Sequence, residues 1–234
     1  MVPTTALIIP VLNERKGIEK ALEKAVSLGA DEVIVVDGNS NDGTYEFVKK
    51  SFPRVRCYKS PYANRAFQMN LGANEAMSDI LVFMHADVSL PEQGIAYIKE
   101  KITQGFNGGC FFKRYEPNSV ILSMYGALLN QVYLRLFKNF VGSNGIFITR
   151  DLFINLKGFP QVEFMEDVLF AQAMKRVGRL AVIDIPVVVS SRRYFKRGVW
   201  NQIMRNSRVM FDYCFLHKNP KDLKKIYTVN CYEC

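Results

Sequence analysis

Five groups of polar side chains in this 234-residue chain stand at or near the ends of apolar runs, where they could do chemistry. Pro10-Val11-Leu12-Asn13-Glu14 closes the first run, Asp37 follows Val33-Ile34-Val35-Val36, and His85-Ala86-Asp87 follows Ile80-Leu81-Val82-Phe83-Met84. Much later come Glu166-Asp167 and Ser191-Arg192-Arg193. An isolated carboxylate at such a point can accept hydrogen bonds or hold a hard cation. One acid of an adjacent pair can serve as a general base, and a guanidinium is a good fork for phosphate. Three familiar devices are missing. No G-x-G-x-x-G follows the first run, no G-x-x-x-x-G-K-[ST] occurs, and His85 and His217 have no supporting cluster for zinc.

The elements that must position these groups are legible in the first half. Ala6 to Pro10, Val33 to Val36, Val55 to Tyr58 and Ile80 to Met84 read as short buried strands. Between them fall a helix carrying Ile18, Ala21, Leu22, Ala25 and Val26 and stopped by Gly29, a short one over 44–50, and one over roughly 63–77. This alternation predicts an α/β fold with a mostly parallel sheet covered by helices on both faces. Ligands of such sheets bind beyond the carboxyl ends of the strands, so Asp37 and Asp87 should face one crevice. Asn39, Asn41 and Gly43 supply a tight turn, and Asp42 is placed to cap the helix after it. In the second half, 119–137 reads as an apolar helix, 145–149 as a strand, 166–177 as a helix, 180–191 as a strand region and 200–216 as an amphipathic basic helix.

Charge is unevenly distributed. The formal net charge is +9, but Arg192 to Lys225 alone holds ten basic residues against Asp212 and Asp222, which makes that segment +8. Residues 1–191 are therefore read as one nearly neutral domain and 192–234 as a basic helical extension of it. No apolar run reaches the ~18 residues of a membrane-spanning helix, and the N-terminus lacks the pattern of a signal peptide. Five scattered cysteines do not suggest a disulfide framework, and Cys231-x-x-Cys234 reads as a frayed tail. The cytoplasm is the expected compartment. The basic segment carries no nucleic-acid recognition module, which excludes a nucleic-acid partner.

Four motifs in order, I-I-P-V-L-N-E, V-D-G-x-S-x-D-G-T, the H-A-D turn and the E-D pair, span residues 5–170 and resemble the family 2 glycosyltransferases. The stretch from Gly158-Phe159-Pro160 to Gly198 resembles a bacterial branch with H-A-D in place of D-x-D, associated with arsenosugar biosynthesis. The resemblance implies a GT-A fold, Rossmann-like with a C-terminal helical extension, and inverting transfer from a nucleotide-diphosphate sugar. It implies that Pro10, Asn13 and Glu14 frame the base and ribose, with Arg65 and Asn70 of the third helix and the His85-Ala86 pair contributing contacts. Asp37 suits the imide N–H of a uracil or the edge of a guanine, or else caps its own turn. Asp87 is the expected ligand of Mg²⁺ or Mn²⁺, and His85, in place of the first Asp, contacts ribose or a water or caps the strand. Asp167 is the expected general base, with Glu166 supporting it or serving instead. Arg192, or its neighbour Arg193, could face the diphosphate.

The expected donor is a UDP- or GDP-sugar. The basic amphipathic helix could lie against the inner face of an anionic membrane and meet a lipid-linked acceptor, or simply pack on the core. A catalytically silent nucleotide-sugar-binding scaffold of the same fold is the alternative function.

Overall fold

The structure is a computed structural model that describes residues 2–228, so Cys231 and Cys234 lie outside the described residues. In chain order the elements are β1 (Thr5–Val11), α1 (Ile18–Ser27), β2 (Glu32–Asp37), α2 (Thr44–Ser51), β3 (Arg56–Lys59), α3 (Arg65–Glu75), β4 (Ile80–Phe83) and β5 (Val88–Ser89). There follow α4 (Gly94–Thr103), β6 (Gly108–Glu116), α5 (Val120–Leu128), a π-helical stretch (Leu129–Leu136), a 3-10 turn (Gly142–Asn144), β7 (Ile146–Thr149) and α6 (Arg150–Asn155). The chain continues with α7 (Glu166–Val177), β8 (Leu180–Ser190), α8 (Arg192–Arg197), α9 (Val199–Cys214) and α10 (Pro220–Thr228).

One sheet runs in the order β3-β2-β1-β4-β7-β6-β8-β5. Strands β3, β2, β1 and β4 are mutually parallel. β7 is antiparallel to both β4 and β6, and β6 is parallel to β8. Two successive reversals restore the direction, so the carboxyl ends of β1, β2, β4, β6 and β8 all open on the same side. That is where the topology puts a ligand.

Alternation through the sheet builds two cores. Leu7, Ile9, Val11, Val33, Val35 and Val82 face α1, α2 and α4, whereas Ile8, Ile34, Val36, Leu81 and Phe83 face α3, α6 and α7. Burial on both faces explains why β1 reads as an unbroken apolar run. Pro10 is tolerated in this central strand because β4 stops at Phe83, paired with Ile8, and leaves no ladder bond for the missing N–H. Gly72 lets α3 approach closely, since a Cβ there would stand 2.6 Å from Ile8 Cγ2.

The expected helix over 119–137 is an α-helix only to Leu128 and then widens into the π-helical stretch. Within that stretch Asn130 clamps β6, accepting from Lys113 N–H at 3.0 Å and donating to Lys113 C=O at 2.9 Å. The cap before α2 is also shifted. The N-cap is Gly43, in the left-handed region, while Asp42 accepts from the Thr44 N–H at 3.0 Å. Helix α6 is capped by the Thr149 side chain, with Asp151 in its first turn.

Candidate active site

A cavity of about 1160 Å³ opens at the shared carboxyl ends of the strands. Eight of the twelve expected site residues line it: Pro10, Glu14, Arg65, His85, Ala86, Asp87, Glu166 and Asp167. Asn13, Asp37, Asn70 and Arg192 are not on the wall, and Arg193 stands there instead of Arg192.

Two loops are tied to each other by side chain to backbone bonds. The N–H groups of Asn13, Glu14 and Arg15 donate in turn to Ser40 Oγ (2.8 Å), Thr44 Oγ1 (3.1 Å) and Asp42 Oδ2 (3.0 Å). Asn13, at φ 53°, returns a bond by accepting from the Asn41 N–H at 3.0 Å. The D-G-x-S-x-D-G-T motif thus fixes the loop after β1, and Asn13 spends its side chain on that brace. Asp37 lies fully buried behind the wall. Its Oδ2 accepts from the Ser40 N–H at 2.8 Å, while Oδ1 is buried with no donor among the described residues. Gln68 closes the same corner by donating to the Val11 and Val36 carbonyls at 2.8 and 2.7 Å.

Asn70 points elsewhere. Its amide pairs reciprocally with the backbone of Phe159, donating at 2.9 Å and accepting at 2.8 Å. It therefore holds the 158–159 turn against α3, with both amide heteroatoms engaged on the Phe159 backbone.

The acid pair sits at the start of α7, preceded by Met165 at φ 64°. Glu166 is 4% exposed and pairs with Arg65 Nη1 at 3.1 Å. Burial pushes its carboxyl up, the charge of Asp167 adds to the rise, and Arg65 opposes it. Asp167 is held by the 3-10 turn before β7, whose Gly142 N–H donates to Oδ2 at 2.6 Å. Gly142 also seats His85, because a Cβ at that position would fall 2.2 Å from His85 Nε2 and 3.2 Å from Asp167 Oδ2. Burial, with Arg65 and Arg193 nearby, drives the His85 imidazole well below its ordinary value, so it is neutral at pH 7. Glu14 is also raised, first by burial; Arg192 opposes this and Asp87 adds to it.

Lys113 was not anticipated from sequence. It lines the cavity from β6 and is 7% exposed; its Nζ reaches Ser143 Oγ at 3.4 Å, with no carboxylate oxygen within 4 Å among the described residues. Burial pushes its ammonium down to about 8, against a partial upward pull from Asp167. A strand beginning Gly108-Gly109 carries little β signal, which hid the residue. Both glycines are required by close packing: a Cβ on Gly109 would meet the Ala181 carbonyl oxygen, and one on Gly108 would lie 2.6 Å from the Phe147 carbonyl oxygen.

Among the described residues no cluster of three or more His, Cys, Asp or Glu could cage a metal. Asp87, solvent-exposed and on the cavity wall, offers a single carboxylate. That fits a hard cation shared with phosphate oxygens and water better than one enclosed by protein.

A mostly parallel sheet with acids and arginines at its carboxyl ends, and an acid pair mounted on a later helix, matches a GT-A fold. The chain belongs to glycosyl transferase family 2, whose model matches residues 6–158. A mannosyltransferase from Pyrobaculum calidifontis, in complex with GDP-Man and Mn²⁺, superposes at TM-score 0.70 over 99% of this chain and 70% of its own, at 22% identity. Glucosyl-3-phosphoglycerate synthase from Mycobacterium tuberculosis, with Mn²⁺, UDP and glucosyl-3-phosphoglycerate, gives 0.62 over 87% of this chain and 78% of its own, at 18% identity. The 4,4'-diaponeurosporenoate glycosyltransferase of Staphylococcus haemolyticus (strain JCSC1435) is 37% identical over 130 residues, 51% of this chain. This chain spans only 33% of that relative's length.

Proposed function

We propose that the chain is an inverting glycosyltransferase that moves a sugar from a UDP- or GDP-sugar to an acceptor hydroxyl, with Asp167 as general base. The observation that carries this reading is the meeting of Asp87, Arg193 and the Glu166-Asp167 pair on one cavity at the carboxyl ends of the sheet. In the transfer, the acceptor oxygen bonds to the anomeric carbon as the bond to the diphosphate oxygen breaks. The electron pair leaves with the diphosphate, and the hydroxyl proton passes to Asp167. Gly142 N–H orients that carboxylate, and the neighbouring Arg65 partly neutralises Glu166. When bound, Mg²⁺ or Mn²⁺ at Asp87 would offset the charge of the departing diphosphate. Arg193 adds fixed positive charge to the same wall. Pro10 and Glu14 frame the nucleoside, and Asp37, buried behind them, holds the turn that shapes this end of the cavity.

Within the family we place the chain in the H-A-D branch associated with arsenosugar biosynthesis, a placement that rests on His85-Ala86-Asp87 and on the stretch from Gly158 to Gly198. Residues 192–234 are read as a basic helical extension of the catalytic domain. The described cysteines, Cys57, Cys110 and Cys214, are all free, in keeping with a reducing, cytoplasmic setting. Screening hydrolysis of UDP-, GDP- and other sugar nucleotides, with and without Mn²⁺, tests the reading. One donor class should be bound and slowly hydrolysed, and chelation should suppress that hydrolysis. Failure of every donor to bind or react would contradict it.

A further inference from the structure

Helix α9 is amphipathic in an unusual sense, because its outward face is also apolar. Trp200, Met204, Phe211 and Phe215 are each more than half exposed, at spacings of four, seven and four residues that place them on one narrow stripe. Ile203 and Val209, turned away from that stripe, are buried. Helix α5 packs against α9 and exposes Val120, Met124 and Leu128 on its own outer side, at 76, 70 and 55%. Neighbouring exposed stripes of this size are not ordinary scattered surface residues.

The charge around them has one sign. No Asp or Glu occurs from Pro117 to Arg150 or from Ile185 to Phe211, whereas the second stretch alone carries six Lys/Arg. Arg192, Lys196 and Arg208 are exposed on α8 and α9. A second copy docking face to face would set like charges against each other. Exposed aromatics bordered by arginine and lysine, with the one carboxylate of α9, Asp212, buried and paired with Lys218 at 2.9 Å, match instead an interface between water and anionic lipid. The cavity is bounded by the same two helices, through Tyr125 and Leu128 of α5 and Met210 and Cys214 of α9.

We propose that the outer faces of α5 and α9 form a docking surface for an anionic bilayer. Docked this way, the cavity containing Asp167 borders the lipid, and an acceptor carried on a lipid reaches it from the membrane side. This last step rests on the transferase reading; the docking itself does not.

The chain has a single tryptophan, Trp200, and it stands on the stripe, so its fluorescence reports docking directly. The 234-residue chain is mixed with vesicles of phosphatidylcholine, or of phosphatidylcholine with phosphatidylglycerol, and followed by emission and by sedimentation. With phosphatidylglycerol the emission should shift to the blue and the protein should sediment with the vesicles. Phosphatidylcholine alone should bind at least about tenfold more weakly, and salt should release most of the protein. Met204→Glu with Phe211→Glu should abolish both signals, and Arg208→Glu with Lys196→Glu should weaken them even if the first pair folds poorly. Met77→Glu, an exposed apolar control at the far end of β4, should bind as the parent does. Absence of a shift with phosphatidylglycerol would overturn the proposal. So would binding indifferent to both double variants, or a concentration-dependent dimer that shifts Trp200 without lipid. Donor hydrolysis measured without vesicles should be unchanged in Met204→Glu with Phe211→Glu, so loss of docking and loss of catalysis are separable.

Discussion

Lys113 is a buried cation with one long hydrogen bond and no paired carboxylate among the described residues, an arrangement that costs stability, and it stands beside the proposed base. Its ammonium titrates near 8 in the folded protein against an ordinary value of 10.5. The unfolded chain therefore binds the proton more tightly. The stability contribution is full above about pH 10.5 and lost as pH falls through 8. Below that the penalty is about 3 kcal/mol. Lys113→Met should accordingly raise the urea midpoint at pH 7, with the gain shrinking at pH 10, while lowering donor turnover. A variant less stable at both pH values would show that the lysine supports the fold. Gly142 makes a complementary case. Gly142→Ala forces a Cβ into His85 and Asp167, and a displacement of that kind should reduce donor hydrolysis on the order of 10²-fold. Nucleotide affinity, measured by calorimetry, should change much less.

Among the elements, α3 is held at two points by amides. Gln68 joins it to β1 and β2, and Asn70 joins it to the Phe159 turn. Asn70→Ala leaves buried backbone groups unpaired and should cost roughly 1–3 kcal/mol in chemical denaturation. The affinity of the folded protein for nucleotide should stay constant; a selective loss of nucleotide affinity at unchanged stability would restore Asn70 to the binding site. The comparison with sequence is instructive here. Strands buried on both faces, such as β1, β2 and β4, declare themselves as aliphatic runs, and the acids that end them lie in or behind the cavity. The glycine-rich start of β6, whose bareness is demanded by the Phe147 and Ala181 carbonyls, carried no such signal, so Lys113 and the clamp by Asn130 went unseen. Asn13 and Asn70 were recognisable as polar residues in the right segments. Whether their amides face a ligand or the backbone depends on long-range neighbours, which spacing does not encode.

For the whole molecule, the two reversals on either side of β7 turn β6 and β8 parallel to β1, β2 and β4, which brings their carboxyl ends to one cavity. The chain up to β5 contributes Glu14, Arg65 and Asp87, and the chain from β6 onward contributes Lys113, Asp167 and Arg193. The excess positive charge is concentrated beside that cavity, on the helices that follow β8, and we propose that it meets the donor diphosphate on one side and an anionic bilayer on the other. The proposed nucleotide-sugar transfer, with Asp167 taking the acceptor proton, accounts for these features together. The most direct measurement compares Asp167→Asn with the parent chain, using hydrolysis of the bound sugar nucleotide and calorimetric affinity for the same donor. Loss of the base should lower turnover roughly 10²- to 10⁴-fold with donor affinity preserved. Turnover equal to the parent's in Asp167→Asn would contradict the account.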